Sequence, residues 1–161
     1  MANFTGANVC DVVEIETYQP DVFSFGIASG DSKVSHYITQ TTNDIFRDLR
    51  IKWWPMYKSN IYTDITVLNT AEMVNTKVDL DQFKRAGVYL FLSRYFLPSL
   101  TKFRPEADKD RFERMIEFYS SAYIKEFQTI LEDGVSYDSD AGGSISASER
   151  EPLHSYRRLT R

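Results

Sequence analysis

The segment from Ala107 to Leu131 reads ADKDRFERMIEFYSSAYIKEFQTIL and is the longest helical pattern in the chain. Its apolar residues recur every three or four positions, which places them on one face of an α-helix. The members of this stripe are Phe112, Ile116, Tyr119, Tyr123, Phe127, Ile130 and Leu131. Pro105 precedes the segment, and Gly134 follows it as a typical helix terminator. The segment therefore predicts a long amphipathic helix packed on a core.

Two further helices are predicted upstream. Apolar residues recur at helical spacing from Lys33 to Arg50. Asp79 is suited to cap a helix from Leu80 to Leu97, and Pro98 is expected to stop it. The aromatic and aliphatic side chains of this second helix lie on nearly all of its sides, which predicts that the helix is buried.

The remaining segments are predicted to be less regular. Residues 1–32 are punctuated by Pro and Gly and are expected to form an irregular arm. Pro55 follows the pair Trp53-Trp54 and should end any helix. For the tryptophans two arrangements are open: one indole packs in the core and the other at an interface, or both lie in the core. The β-branched stretch from Ile61 to Leu68 favours a short strand or extended segment.

The predicted fold class is therefore mostly α. We expect a small helical bundle of three principal helices with an extended N-terminal arm, a short extended segment and a C-terminal tail. The predicted division is an arm over 1–32, a helical core over 33–137, and a loop and docking tail over 138–161.

The composition and charge of the chain exclude several classes of protein. The chain has 161 residues, of which 42% are hydrophobic and 26% charged, so it can bury a core. Its net charge of −4 argues against a general nucleic-acid binder. Cys10 is the single cysteine and excludes an internal disulfide. The first basic residue is Lys33, and no apolar run is long enough to span a membrane, so neither a signal peptide nor a membrane segment is expected.

A calcium-type loop follows the long helix. The twelve residues from Asp138 to Glu149 read DSDAGGSISASE and follow the spacing of an EF-hand loop. The candidate ligands are the side chains of Asp138, Asp140, Ser146 and Glu149 and the carbonyl of Ser144. Gly143 occupies the sixth position, where that loop turns sharply.

Three features depart from a calcium sensor. Gly142 replaces the usual side-chain ligand at the fifth position, Pro152 leaves little room for an exiting helix, and no second loop is present to pair with this one. The alternative is a metal-free turn whose Asp and Ser side chains cap local backbone amides. Calcium is thus the only cofactor that the sequence indicates, and a structural loop is favoured over a signalling switch.

The tail carries three arginines. Tyr156, Arg157, Arg158, Leu159 and Arg161 combine guanidinium groups with two apolar side chains. Such a segment can bind carboxylates or phosphates on a partner, or it can be a disordered basic terminus.

Catalysis is not expected. His36 lies on a predicted helix and His154 in the tail, and neither is near a Ser or Cys in a nucleophile motif. No glycine-rich phosphate loop and no His/Glu zinc pair occur in the sequence.

The order of these elements resembles the head–tail adaptor (connector) proteins of tailed bacteriophages. The resemblance rests on Trp53-Trp54-Pro55, the aromatic helix after Asp79-Leu80-Asp81, the long helix with Phe118-Tyr119, the 135–149 loop and the closing Arg157-Arg158-Leu159, and it covers roughly residues 30–161. It carries no catalytic signature.

The resemblance implies a non-enzymatic virion protein of the phage neck. Twelve helical-bundle subunits would form a dodecameric ring beneath the portal protein and link the capsid to the tail. Such a subunit would bind neighbouring copies and a downstream tail or nozzle protein, lie close to packaged DNA, avoid membranes and assemble in the host cytoplasm. By the same resemblance, the docking residues would be Tyr156, Arg157, Arg158, Leu159 and Arg161. The alternative function is a monomeric calcium-binding module with a single EF-hand-like loop.

Overall fold

The computed structural model describes residues 8–101, 111–146 and 149–151. These residues are mostly helical and include very little strand, so the predicted mostly-α class is confirmed. None of the helices in these ranges has the length and apolar content that a membrane crossing requires.

The chain divides into two compact units. Of the described residues, the N-terminal unit contains 8–45, 83–101 and 111–127, and the loop unit contains 46–82, 128–146 and 149–151. The division predicted from sequence, with boundaries at 1–32, 33–137 and 138–161, stays a prediction.

The N-terminal unit begins with helix α1, Val12–Tyr18. Asp11 and Glu14 form a capping box, in which the Glu14 N–H donates to Asp11 Oδ1 at 2.8 Å and the Asp11 N–H donates to Glu14 Oε2 at 3.0 Å. The helix buries Ile15, and a 3₁₀ turn over Val22–Phe25 buries Val22. The predicted irregular arm is therefore wrong for residues 12–18 and 22–25, because the capping box and the burial of Ile15 and Val22 stabilise helical turns there.

Helix α2 spans Ser32–Lys52 and confirms the helix predicted from Lys33 to Arg50. Its inward face buries Val34, Ile38, Ile45, Phe46 and Leu49, the apolar residues that the helical spacing selects. Amphipathic periodicity alone was enough to locate this element.

The predicted aromatic helix is helical from residue 80 to residue 100 but changes its winding. A 3₁₀ turn, Leu80–Phe83, leads into α5, Lys84–Phe91; a π-helical turn, Leu92–Phe96, joins α5 to α6, Leu97–Leu100. The prediction that Pro98 stops the helix is wrong. Pro98 lies in the first turn of α6, directly after the π turn, where a proline does not interrupt an established run of α-helical hydrogen bonds.

Helix α7, Arg111–Asp133, is the long helix predicted from sequence. Its predicted first residues, 107–110, lie outside the described ranges. Gly134 ends the helix with a φ of 100°, a left-handed conformation that glycine adopts without steric cost, and its N–H donates to the Ile130 carbonyl at 3.0 Å.

The loop unit contains α3, Trp54–Ile61, and α4, Ile65–Thr70. As predicted, a helix ends before Pro55, because α2 stops at Lys52. Pro55 itself lies in the first turn of α3, a position in which proline is favoured. The short strand or extended segment predicted from Ile61 to Leu68 is wrong for Ile61, the last residue of α3, and for residues 65–68, which are helical. Asp64 caps α4 by accepting the Thr66 N–H at 2.8 Å, and the described residues contain no neighbouring strand with which this stretch could pair.

Two short strands close the loop unit. Strand β1, Val135–Ser136, pairs antiparallel with β2, Arg150–Glu151, with Val135 opposite Glu151 and Ser136 opposite Arg150. These strands bring the two ends of the 138–149 loop together.

Four aromatic rings form the centre of the loop unit: Trp53, Trp54, Tyr57 and Tyr137. Their ring centroids lie 4.5–5.9 Å apart, and both indoles are buried. The Trp54 Nε1–H donates to the Ala71 carbonyl at 3.2 Å. Of the two alternatives for the tryptophan pair, the structure supports the one with both indoles in the core.

Candidate metal-binding loop

The chain enters the candidate loop through Tyr137, which is fixed on several sides. Its N–H donates to the Glu149 carbonyl at 3.1 Å, its hydroxyl accepts the Val74 N–H at 3.2 Å, and it forms a β-bridge with Val78. Burial raises the pKa of the Tyr137 hydroxyl, so it remains a neutral group. The first residue of the loop, Asp138, is therefore held in place by the aromatic core.

Glu149 joins the two ends of the loop through its carboxylate. Oε1 accepts the Ser139 N–H at 2.7 Å, the Ser139 hydroxyl at 2.9 Å and the Asp140 N–H at 3.3 Å. Oε2 accepts the Ser146 N–H at 2.9 Å and the Ser146 hydroxyl at 2.8 Å. The bonds from Ser146, first its N–H and then its hydroxyl, lower the pKa of Glu149 to about 2, with the Ser139 hydroxyl adding to the effect. The side chain is consequently an anion at neutral pH.

Asp138 and Asp140 hold the first turn of the loop. Asp138 Oδ1 accepts the Gly142 N–H and Oδ2 accepts the Gly143 N–H, both at 2.9 Å. Asp140 Oδ1 also accepts the Gly142 N–H, at 2.8 Å. Gly143 has a φ of 74°, which confirms the sharp turn predicted at the sixth position, and Ala141 has a φ of 59°. Gly143 takes the left-handed turn, and Gly142 leaves room for Asp140 Oδ1, from which a Cβ on Gly142 would lie 2.9 Å.

The structure brings three of the five predicted ligands together. One carboxylate oxygen from each of Asp138, Asp140 and Glu149 lies within 4.8 Å of the others, and Asp138 and Glu149 are buried. Ser146 directs its hydroxyl to Glu149, and Ser144 is exposed. Their roles as ligands stay predictions.

This cluster of three acidic residues could hold a metal ion. It offers only oxygen donors, which suit a hard cation. Each oxygen of Asp138 accepts one N–H and keeps a second lone pair, whereas both oxygens of Glu149 are already occupied by bonds from Ser139, Asp140 and Ser146. The loop also has the hydrogen bonds expected of the alternative, a turn closed by its own Asp, Ser and Glu side chains. The same bonds that close the turn also orient the carboxylates, and a bound cation would have to replace part of the hydrogen bonding to Glu149.

The calcium-loop spacing did not predict that the hydroxyls of Ser139 and Ser146 bind Glu149. A signal was present for one of them: Ser146 and Glu149 have the Ser-x-x-Glu spacing of a capping box. Ser139 carried no comparable signal, since its contact with Glu149 depends on closure of the whole loop.

The other predicted site residues lie elsewhere. Tyr156, Arg157, Arg158, Leu159, Arg161 and His154 fall outside the described residues. His36 is exposed on α2 beside the ring of Tyr37. Cys10 is buried, and burial followed by the nearby charges of Glu14 and Asp11 raises the pKa of its thiol to about 12, so the thiol stays protonated at neutral pH.

A second polar cluster lies in the N-terminal unit. The Tyr95 hydroxyl donates to Asp44 Oδ2 at 2.6 Å, and Arg94 Nη1 lies 3.4 Å from the same oxygen. Asp44 is buried, so these two donors compensate its charge. The arrangement is that of a structural ion pair within the fold.

No protein-family model, no curated protein and no solved structure matches this chain.

Proposed function

We propose that this chain is a structural subunit of a virion, a head–tail adaptor that binds beneath the portal and links the capsid to the tail. In this proposal twelve copies of a helical-bundle subunit form a ring in the phage neck, each contacting its neighbours, the portal protein and a downstream tail or nozzle protein. The ring lies close to packaged DNA, assembles in the host cytoplasm and performs no catalysis.

The observation that carries the proposal is the fixed origin of the arginine-bearing tail. Strand β2 pairs with β1, and the carboxylate of Glu149 ties the start of β2 to Ser139, Asp140 and Ser146. The described chain therefore ends at Glu151 on a strand that pairs with β1 and follows the anchored Glu149. A binding segment that starts from a fixed point loses less entropy on docking than one that starts from a loose loop.

The chemistry of the tail suits an acidic partner surface. Arg157, Arg158 and Arg161 provide forked donors for carboxylates, and Tyr156 and Leu159 provide apolar anchors. The portal is the proposed partner, with the arginines pairing to acidic groups on it.

The test is assembly on purified portal rings. Deleting residues 155–161 should leave the helical circular-dichroism spectrum unchanged and abolish ring assembly. The pair Arg157→Ala and Arg158→Ala should weaken docking by about 2–5 kcal/mol if both guanidiniums are desolvated in the complex. A matched control removes the same charge elsewhere: Arg114 and Lys125 are exposed on α7, and their replacement by Ala should leave docking unchanged. Undiminished binding of the truncated protein would reject the proposal.

A second candidate function is calcium binding by the 138–149 loop, and the convergence of Asp138, Asp140 and Glu149 favours it. In this proposal the three carboxylates hold Ca²⁺, with Ser144 and Ser146 completing the set. Because the fifth position is glycine and no second loop supports this one, affinity should be weak, with a Kd on the order of 10⁻⁴ M or higher.

Calorimetry of the whole chain tests this candidate. Asp138→Asn should remove the binding heat, whereas Asp133→Asn, an equal change of charge at an exposed position just outside the loop, should retain it. Sub-micromolar binding would favour a calcium sensor over an adaptor, and absence of any binding up to millimolar calcium would leave the loop as a purely structural closure.

A further inference from the structure

The loop unit contains an open cavity of about 350 Å³ that neither of the functions proposed above uses. Its walls come from the end of α2, the start of α3 and the chain that follows α4. The lining residues are Arg50, Trp54, Ala71, Glu72 and Met73. Small-molecule sites in proteins occupy about 300–1,000 Å³, so this cavity has room for a ligand at the small end of that range.

The apolar wall of the cavity is fixed by the core behind it. The buried indole of Trp54 stacks on the ring of Tyr57 at a centroid distance of 5.4 Å. Its Nε1–H donates to the Ala71 carbonyl at 3.2 Å, which ties the chain after α4 to the indole. Met73 is also buried. A ligand that enters the cavity therefore meets a preformed indole and thioether surface and does not have to order it.

Two opposite charges line the same cavity without pairing. Arg50 Nη2 donates to Asn75 Oδ1 at 2.7 Å, so a neutral amide oxygen orients the guanidinium and leaves its charge uncompensated. Glu72 is exposed and carries the negative charge. Among the residues that the structure describes, no ion pair includes either of these side chains. The cavity thus offers a cation, an anion and an apolar wall to one ligand.

We propose that this cavity binds a small zwitterion with an apolar side chain, that is, a free α-amino acid such as L-leucine. The Arg50 guanidinium receives the carboxylate, Glu72 receives the ammonium group, and the indole of Trp54 contacts the apolar side chain. A phosphate or another polyanion suits the site poorly, because Glu72 repels it. A wholly apolar ligand would cover both charges without giving either of them a partner.

The proposal does not depend on either function proposed above. None of the five lining residues belongs to the 138–149 loop or to the arginine-bearing tail. Binding of an amino acid would therefore be retained in a chain that fails to bind the portal or calcium.

The experiment is a nuclear magnetic resonance titration of the full chain with L-leucine. The chain has two tryptophans and so gives two indole N–H signals, of which that of Trp54 reports on the cavity. This signal should shift and saturate with a Kd on the order of 1–10 mM, because a ligand of this size has few atoms with which to gain binding energy.

Charge-removing variants test the two polar contacts separately. Arg50→Gln and Glu72→Gln should each raise the Kd for L-leucine by about tenfold, the effect of losing one hydrogen-bonded charge. The matched control is Arg47→Gln, which removes the same charge from an exposed residue of α2 that does not line the cavity. It should change the Kd by less than about twofold. Circular dichroism of each variant verifies the fold.

Two analogues test the ligand class. N-acetyl-L-leucine lacks the ammonium group and L-leucinamide lacks the carboxylate, so each should bind at least about tenfold more weakly than L-leucine. The inference is overturned if L-leucine gives no saturable shift up to about 100 mM, if either analogue binds as tightly as L-leucine, or if Arg47→Gln weakens binding as much as Arg50→Gln.

Discussion

Replacing Gly87 with alanine should destabilise the N-terminal unit, although alanine is the better helix former. Gly87 lies in α5, and a Cβ built on it would lie 2.7 Å from Val9 Cγ1 and 3.1 Å from Val9 Cγ2. Carbon atoms in contact normally lie about 3.5–4.0 Å apart, so the new methyl group would overlap Val9 by nearly 1 Å. Val9 has little freedom to retreat, because it is fully buried and its N–H donates to Thr42 Oγ1 at 3.0 Å.

The size of the effect follows from two opposing contributions. Overpacking of a filled core costs about 1–3 kcal/mol, and replacing glycine by alanine within a helix contributes about 1 kcal/mol in the other direction. Because Val9 is held at its backbone, the cost should lie in the upper half of its range. We expect the free energy of unfolding to fall by about 1–2 kcal/mol.

Urea unfolding monitored by circular dichroism measures this change. Gly30→Ala is the matched control, because a Cβ there meets no atom within 4 Å, and it should be neutral or slightly stabilising. In the double variant Gly87→Ala with Val9→Ala, the overlap disappears and the two single effects should add to more than the measured total. A Gly87→Ala protein as stable as the wild type, or more stable, would show that Val9 does not pack against α5 in this way.

Two further predictions concern titratable groups. The fold lowers the pKa of Glu149 from 4.5 to about 2, so its contribution to stability should be complete above pH 4.5 and disappear as the pH falls towards 2. In Glu149→Gln, the urea unfolding midpoint should depend less on pH across this range. An unchanged pH profile would contradict this prediction. The fold raises the pKa of the Cys10 thiol from 9.0 to about 12, which lowers the fraction of reactive thiolate at pH 8. Its reaction with a disulfide reagent at pH 8 should therefore be about 1000-fold slower in the folded protein than in urea. Equal rates would show that the thiol is not buried.

Much of the fold was predictable because the relevant information is local. Helices α2 and α7 follow from apolar spacing, and the end of α7 follows from Gly134, since periodicity and φ > 0 depend only on neighbouring residues. The 138–149 loop was recognisable for the same reason. The spacing of Asp138, Asp140 and Glu149 predicted a cluster, and the three carboxylates do converge.

The tertiary structure decided what the local pattern left open. The stretch from Ile61 to Leu68 has the composition of a strand, yet in the described residues it has no strand to pair with, and the Asp64 cap makes it helical. The two tryptophans could not be assigned from sequence, because their burial depends on Tyr137, a residue more than eighty positions away. Apolar spacing and helix caps involve residues a few positions apart, so the sequence alone predicts them. The burial of a side chain and the pairing of a strand depend on which distant residues the fold brings into contact.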